Sequence, residues 1–262
     1  MLKRRLIPKL QMKLRKIGAV ERLVLVTTVQ FSRVVEIGEP VSQAKIYQAQ
    51  AADELIFLDL DATQQGRPPL LDVLRLAAQE IFMPLTVGGG VASVADFSAL
   101  LSNGADKVCI NSAALVRTQL INEAAASFGS QCVVVGIDYR RDVEGRYSVW
   151  SHGGTRDTGR DPVAWAAECQ SRGAGEILLT SVDRDGTRQG LDTELTRRVT
   201  QSVSLPVITS GGCGLAQHFV DGFTAGGADA VAAGTFFCLR DQSPMQARAR
   251  VKNAGIPIRI HT

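Results

Sequence analysis

The chain repeats itself. Pro84-Leu85-Thr86-Val87-Gly88-Gly89-Gly90 returns 122 positions later as Pro206-Val207-Ile208-Thr209-Ser210-Gly211-Gly212. Glu54-Leu55-Ile56 returns as Glu176-Ile177-Leu178, and Leu60-Asp61 as Val182-Asp183. Gly104-Ala105-Asp106 returns, one residue further along, as Gly227-Ala228-Asp229. Spacings of 122 or 123 carry all four matches, so two copies of one unit make up the chain. Each copy has room for four β-α units, and two such halves make a (β/α)8 barrel.

The 262 residues suit one barrel domain, with half-barrels at about 1–128 and 129–262 and no Pro/Ser-rich linker between them. Short apolar runs alternate with longer amphipathic stretches. The runs predict strands at Arg5–Leu10, Glu54–Leu60, Leu85–Val87, Lys107–Ile110, Cys132–Ile137, Glu176–Leu179, Val207–Thr209 and Ala230–Ala232. Near-continuous apolar strands suit a parallel sheet covered by helices. Helices are predicted at Pro69–Gln79, Val94–Ser102, Ala113–Phe128, Pro162–Arg172, Thr193–Ser202, Ala216–Ala225 and Pro244–Asn253. Asp161-Pro162 reads as an N-cap with proline in the first turn. Asn103-Gly104, Arg172-Gly173 and Ala225-Gly226 read as helix stops. Two long stretches follow strands, Lys13–Glu39 and Tyr139–Asp161, and both are read as loops. The second contains a hairpin turn at Val143-Glu144-Gly145-Arg146. In a barrel, loops after strands form the active face.

A net charge of +3 is too small to argue for nucleic acid. The basic cluster near the start (Lys3, Arg4, Arg5, Lys9, Lys13, Arg15, Lys16) is interleaved with apolar residues, so it reads as a strand and its loop rather than a nucleic-acid or membrane arm. No apolar run approaches the roughly 20 residues of a membrane span, and the basic start leads into no long apolar stretch. The five cysteines (Cys109, Cys132, Cys169, Cys213, Cys238) are scattered without a CxxC pair and read as reduced thiols of a cytoplasmic protein. His152, His218 and His261 have no metal-ligand spacing, and neither metal nor cofactor is expected. No GxGxxG follows the first strand, which argues against a dinucleotide-binding domain.

Gly88-Gly89-Gly90 and Ser210-Gly211-Gly212 each directly follow an apolar strand. Glycine there lets backbone N–H groups approach an anion closely. The pattern occurs in both halves, so two phosphate sites are predicted, completed by Asn111-Ser112 in one half and Gly234-Thr235 in the other. Asp138 ends the fifth strand, where a carboxylate is a candidate general acid or base. Its counterpart after the first strand is Gln11, which can hydrogen-bond but cannot exchange a proton near neutral pH. Asp59 and Asp61 end the second strand, and Asp183 and Asp185 follow the sixth; these either position substrate or anchor loops. At the opposite ends of the strands, Arg5, Glu54, Lys107 and Glu176 would meet on the bottom face with alternating sign. Such a ring plugs the barrel or gates an axial passage.

These residues resemble the cyclase subunit of imidazole glycerol phosphate synthase over nearly the whole chain. The motifs are Pro84–Gly90, Gly104–Val108, Ile110–Ala114, Phe128–Cys132, Gly175–Thr180, Asp183–Thr187 and Gly226–Ala230. The resemblance implies a (β/α)8 barrel that binds a glutaminase subunit at its bottom face as a heterodimer and receives ammonia through the barrel. It implies that Arg5, Glu54, Lys107 and Glu176 form the ammonia gate and that Asp106 lies at the glutaminase interface. Gly89, Gly90, Asn111 and Ser112 match one phosphate site; Asp185, Gly186, Gly211, Gly212 and Gly234, with Thr235 beside it, match the other. Asp138 matches one of two catalytic aspartates.

The departures fall at one end. The second catalytic aspartate aligns with Gln11, and the lysine of the family's flexible first loop aligns with Thr27. The usual first-strand cysteine is Lys9, and Asp61 stands where threonine is common. Gln11 and Asp59 therefore join Asp138 as catalytic candidates. This pattern resembles paralogues associated with amidation of sugars in surface-polysaccharide synthesis, and Asp241–Gln246 and Val251–Ile260 resemble them too. The leading expectation is thus an ammonia-using synthase subunit that amidates a phosphorylated or nucleotide-linked sugar. The alternatives are the histidine-pathway cyclase itself and a catalytically silent scaffold for the glutaminase.

Overall fold

The computed structural model describes residues 3–18, 20–69, 71–238 and 242–259. Asp241, Ile260 and His261, named above, lie outside them.

The first half contains β1 (Arg5–Ile17), β2 (Val20–Val29), β3 (Arg33–Gly38), α1 (Pro40–Ala49), β4 (Leu55–Asp59), α2 (Leu71–Glu80), β5 (Leu85–Gly88), α3 (Val94–Ser102), β6 (Lys107–Ile110), α4 (Ser112–Val116) and α5 (Gln119–Phe128). The second contains β7 (Val133–Arg141), β8 (Tyr147–Ser151), β9 (Arg156–Asp157), α6 (Pro162–Ser171), β10 (Glu176–Ser181), α7 (Thr193–Ser202), β11 (Val207–Ser210), α8 (Ala216–Thr224), β12 (Ala230–Ala233), α9 (Thr235–Cys238) and α10 (Pro244–Asn253).

Eight of these strands pair in parallel in the order β10-β11-β12-β1-β4-β5-β6-β7, and β7 pairs β10 to close the ring. The chain is a (β/α)8 barrel. Closure removes every sheet edge within the ring. The expected strands all appear, and all but the first end within a few residues of their expected bounds. The alternation of β1 continues past Leu10 through Met12 and Leu14, so the strand runs on to Ile17.

Lys13–Glu39, read as a loop, is largely strand. β2 pairs antiparallel with β1, with Leu14 facing Leu23, and β3 pairs with β2. The cause is local. Leu23-Val24-Leu25-Val26 is buried, and β-branched residues continue to Val29. The predicted helix Ala113–Phe128 is also two helices, because Arg117 leaves the helical region at φ −130°, ψ 87°. The hairpin turn at 143–146 is present, with Asp142 N–H donating to Arg146 O at 2.9 Å. Asp161 caps α6, its carboxylate accepting from Val163 and Ala164 N–H at 2.9 Å each.

The repeat is visible in the packing. Gly89 has φ +106°, and a Cβ there would collide with Asp59. Gly211 has φ +93°, and a Cβ there would collide with Ser181. Asp59 and Ser181 are themselves a repeat apart, so the same close approach is built twice.

Side chains pointing inward form levels along the barrel axis. Arg5, Glu54, Lys107 and Glu176 lie at the N-terminal mouth. Above them Ile7, Ile56, Cys109, Val134, Leu178, Ile208, Ala230 and Ala232 form a small apolar cluster, distinct from the main core between sheet and helices. Lys9, Gln11, Asp138 and Thr180 follow at the C-terminal end, with Thr180 opposite Asp138 in register.

The hairpin β2–β3 rests on the β10–α7 loop, and Gly186 sits against the Thr28 carbonyl with φ +73°. Gly186→Ala should therefore lift the hairpin without opening the barrel. The expected outcome is faster limited proteolysis between Val20 and Gly38 with an unchanged far-UV spectrum.

Candidate functional site

At the N-terminal mouth the four predicted charges meet. Arg5 donates to Glu54 at 2.9 Å and to Glu176 at 2.5 Å. Lys107 donates to the same two carboxylates, at 3.1 and 2.8 Å. Each carboxylate side chain is only 5% exposed. Desolvation alone would push the Glu54 carboxyl up, but Arg5 and then Lys107 outweigh it and hold it below its ordinary value. The same pairing outweighs desolvation at Arg5 and holds its guanidinium charged. Asp106 lies nearby on the exterior of this end, where its carboxylate accepts from Leu85 N–H at 2.8 Å and ties the starts of β5 and β6 together. Its repeat mate Asp229 does the same for Val207 at 3.1 Å.

At the other end the structure opens a cavity of about 960 Å³. Gln11, Asp59, Gly89, Gly90, Asn111, Ser112 and Asp138 all line it, as do Lys9, Lys13, Arg67 and His152. Asn111 Nδ2 donates to Asp138 at 2.8 Å, and the Ser112 hydroxyl accepts from His152 N–H at 2.9 Å. Burial pushes the Asp138 carboxyl up to about 7; the Lys9 ammonium pulls against this, Asp185 adds to it, and the Asn111 bond opposes it. Such a value suits proton exchange near neutral pH. Cys109, at the base of the cavity, is pushed up to about 12 by burial and stays a thiol.

Asp185, Gly186, Gly211, Gly212, Gly234 and Thr235 are not on this cavity's wall. Asp185 and Gly186 pack against the hairpin, and Gly211 and Gly212 pack against Ser181 and Gly190. Gly186 meets Thr28, Gly211 meets Ser181, and Gly190 N–H donates to Gly212 O at 2.8 Å. Asp185 accepts from the Thr28 hydroxyl at 2.6 Å and from Lys9 at 3.5 Å. The same hydroxyl lies 3.3 Å from Gln11 Oε1. The cavity thus does not keep the twofold symmetry of the sequence.

Asp59 is a loop anchor. Arg67 donates to its oxygens at 3.1–3.2 Å, and Asp61 and Ala62 N–H donate at 3.1 and 3.2 Å, so the carboxylate holds the loop that follows β4. Asp61 pairs with Lys13 at 2.8 Å. Thr27, on β2, is not the hairpin residue that enters this network; its buried neighbour Thr28 is. The sequence reading missed Thr28 and Arg67. The proline following Arg67 hinted at a fixed loop end, whereas nothing in the sequence marks Thr28.

A family model described as "Histidine biosynthesis protein" matches residues 8–241. A protein of Prochlorococcus marinus (strain MIT 9313), provisionally named imidazole glycerol phosphate synthase subunit hisF2, is 52% identical over 260 residues, covering 99% of each chain. The chain belongs to the histidine biosynthesis protein family, on its imidazole glycerol phosphate synthase cyclase-subunit side. Among the described residues no group of His, Cys, Asp and Glu could hold a metal ion, and no helix is long and apolar enough to cross a membrane.

Glu54→Gln leaves two buried cations to share one carboxylate and should cost about 3 kcal/mol in urea unfolding at neutral pH; adding Lys107→Met should restore most of it. The folded Asp138 carboxyl at about 7 keeps a proton that the unfolded chain, at 3.8, has lost. Its contribution to stability is therefore full below about 4 and is lost as pH rises through about 7. Asp138→Asn should melt at least about 2 °C above the native protein at pH 8, and the gap should close by pH 4.

Proposed function

We propose that the protein is the ammonia-using synthase subunit of a glutamine amidotransferase of the imidazole glycerol phosphate synthase type, working as a heterodimer with a glutaminase subunit. The axis carries this reading. A ring of paired charges at one mouth, a thin apolar level above it and an acid of about 7 at the other mouth form one line through the barrel. A neutral nucleophile such as ammonia can cross the apolar level, where an ion would lose too much solvation. The ring opens by exchange among its own partners, and Asp106 on the same end meets the glutaminase.

Gly89, Gly90, Asn111 and Ser112 hold one phosphate of the substrate at the cavity wall. Asp185, Gly186, Gly211, Gly212, Gly234 and Thr235 hold a second phosphate once the hairpin shifts. Asp138 takes the proton from the attacking nitrogen and returns it to the departing oxygen. Gln11, beside Thr28, orients rather than exchanges protons.

The relatives favour the cyclase reaction of histidine biosynthesis as the chemistry performed. Amidation of a phosphorylated or nucleotide-linked sugar for surface polysaccharide is the second reading. It is favoured by the first-strand end, where Gln11 and Lys9 leave Asp138 without a second free acid. A silent scaffold is disfavoured by a cavity of about 960 Å³ around a tuned acid.

The test is turnover of the histidine-pathway substrate, a formimino-linked ribulosyl-phosphate nucleotide, by purified protein in excess ammonium salt at alkaline pH. The expected result is product formation that falls by at least about 10²-fold in Asp138→Asn. Absence of turnover in folded native protein would reject the cyclase reaction and leave amidation.

A further inference from the structure

The reading above leaves Lys9 without a task. Its side chain is 2% exposed, yet it lines the cavity. It projects from β1 into the axis directly above the apolar level, where Ile7 is two residues below and Gln11 two above. Among the described residues its three N–H donors make one hydrogen bond, the 3.5 Å contact with Asp185. An ammonium removed from water normally fills its donors. Here the remaining donors face the cavity, on the path that an axial nucleophile would take and within the electrostatic reach of Asp138. A group needed only for packing at this position would be apolar, as Ile7 and Leu178 are.

We propose that Lys9 is a catalytic residue for nitrogen addition, donating to the carbonyl-type oxygen of the substrate and stabilising the negative charge that forms there. The inference rests on the ammonia-using reading above and names its electrophile. The substrate is a phosphorylated compound whose carbonyl carbon lies about a sugar's length from a phosphate held at Gly89, Gly90 and Ser112. The ammonia lone pair forms the C–N bond while the C=O π pair moves to oxygen, opposite the Lys9 ammonium. One proton of the new ammonium passes to Asp138. The oxygen takes that proton and a second from nitrogen, leaves as water, and a C=N bond remains. Carbonyl plus ammonia gives imine plus water, with no oxidant or co-reactant. A fixed cation at the developing oxyanion supplies electrostatic stabilisation that a first-strand carboxylate could not.

The probe pair is phosphoarabinonate, whose carboxylate imitates the oxyanion, and arabinitol phosphate, which lacks it. Calorimetric titration of the full chain at pH 6, where Asp138 holds its proton, compares native protein, Lys9→Met and Lys9→Arg. Native protein should prefer the carboxylate by about tenfold or more, as expected for a charge-assisted hydrogen bond. Lys9→Met should erase the preference while binding arabinitol phosphate within about threefold of native, and Lys9→Arg should keep part of the preference. A preference that survives in Lys9→Met, or a loss of both ligands alike, overturns the proposal. Failure of native protein to bind either compound rejects the phosphate site itself and the proposal with it. A crystal structure of native protein with phosphoarabinonate needs no variant. Its carboxylate should lie within hydrogen-bond distance of Lys9 Nζ, and a carboxylate turned away from Lys9 overturns the assignment.

Discussion

Four side chains that lose water together hold the architecture of the site. Arg5, Glu54, Lys107 and Glu176 each find both opposite charges within 3.1 Å. Any one of them alone would be intolerable at this burial; as a closed set they cancel. Because the set satisfies itself, the level above it needs no polar atoms and is filled by Ile7, Ile56, Leu178 and their neighbours. Beyond that apolar floor, burial pushes Asp138 up to about 7, even with Lys9 in its field.

The two halves share a backbone device and differ in what they do with it. In both, a glycine after the third strand of the half lies against the preceding strand end, Gly89 on Asp59 and Gly211 on Ser181. The β2–β3 hairpin then breaks the symmetry. It covers Gly186, brings Thr28 between Gln11 and Asp185, and leaves the large cavity on the side of Gly89 and Gly90. The duplicated scaffold thus carries a one-sided site, with Lys9 and Gln11 at the end of its first strand.

Much of this was legible in the sequence. Strands such as Ala230–Ala233 are apolar and bounded by turn residues, so barrel and repeat could be read together. The ring could be read because its members stand at the starts of strands. The hairpin could not, because Lys13, Arg15, Lys16, Glu21 and Arg22 gave its outer portion the composition of a loop; the alternation Leu10-Met12-Leu14 was the available signal. The pairing of Asp59 with Arg67 and the place of Thr28 stayed hidden for a different reason. Both depend on where a loop folds back, and Thr28 meets Asp185 across 157 positions. Local pattern carries no information about such pairs.

The central claim is that the nitrogen travels along the barrel axis to Asp138. The most direct measurement compares glutamine-supported with ammonium-supported product formation by the complex with a glutaminase, in native protein and in Ala232→Met, which fills the apolar level. The account predicts that Ala232→Met loses the glutamine-supported reaction and keeps the ammonium-supported one, since free ammonia can enter through the open cavity. Equal loss of both, or survival of the glutamine-supported reaction, would contradict it.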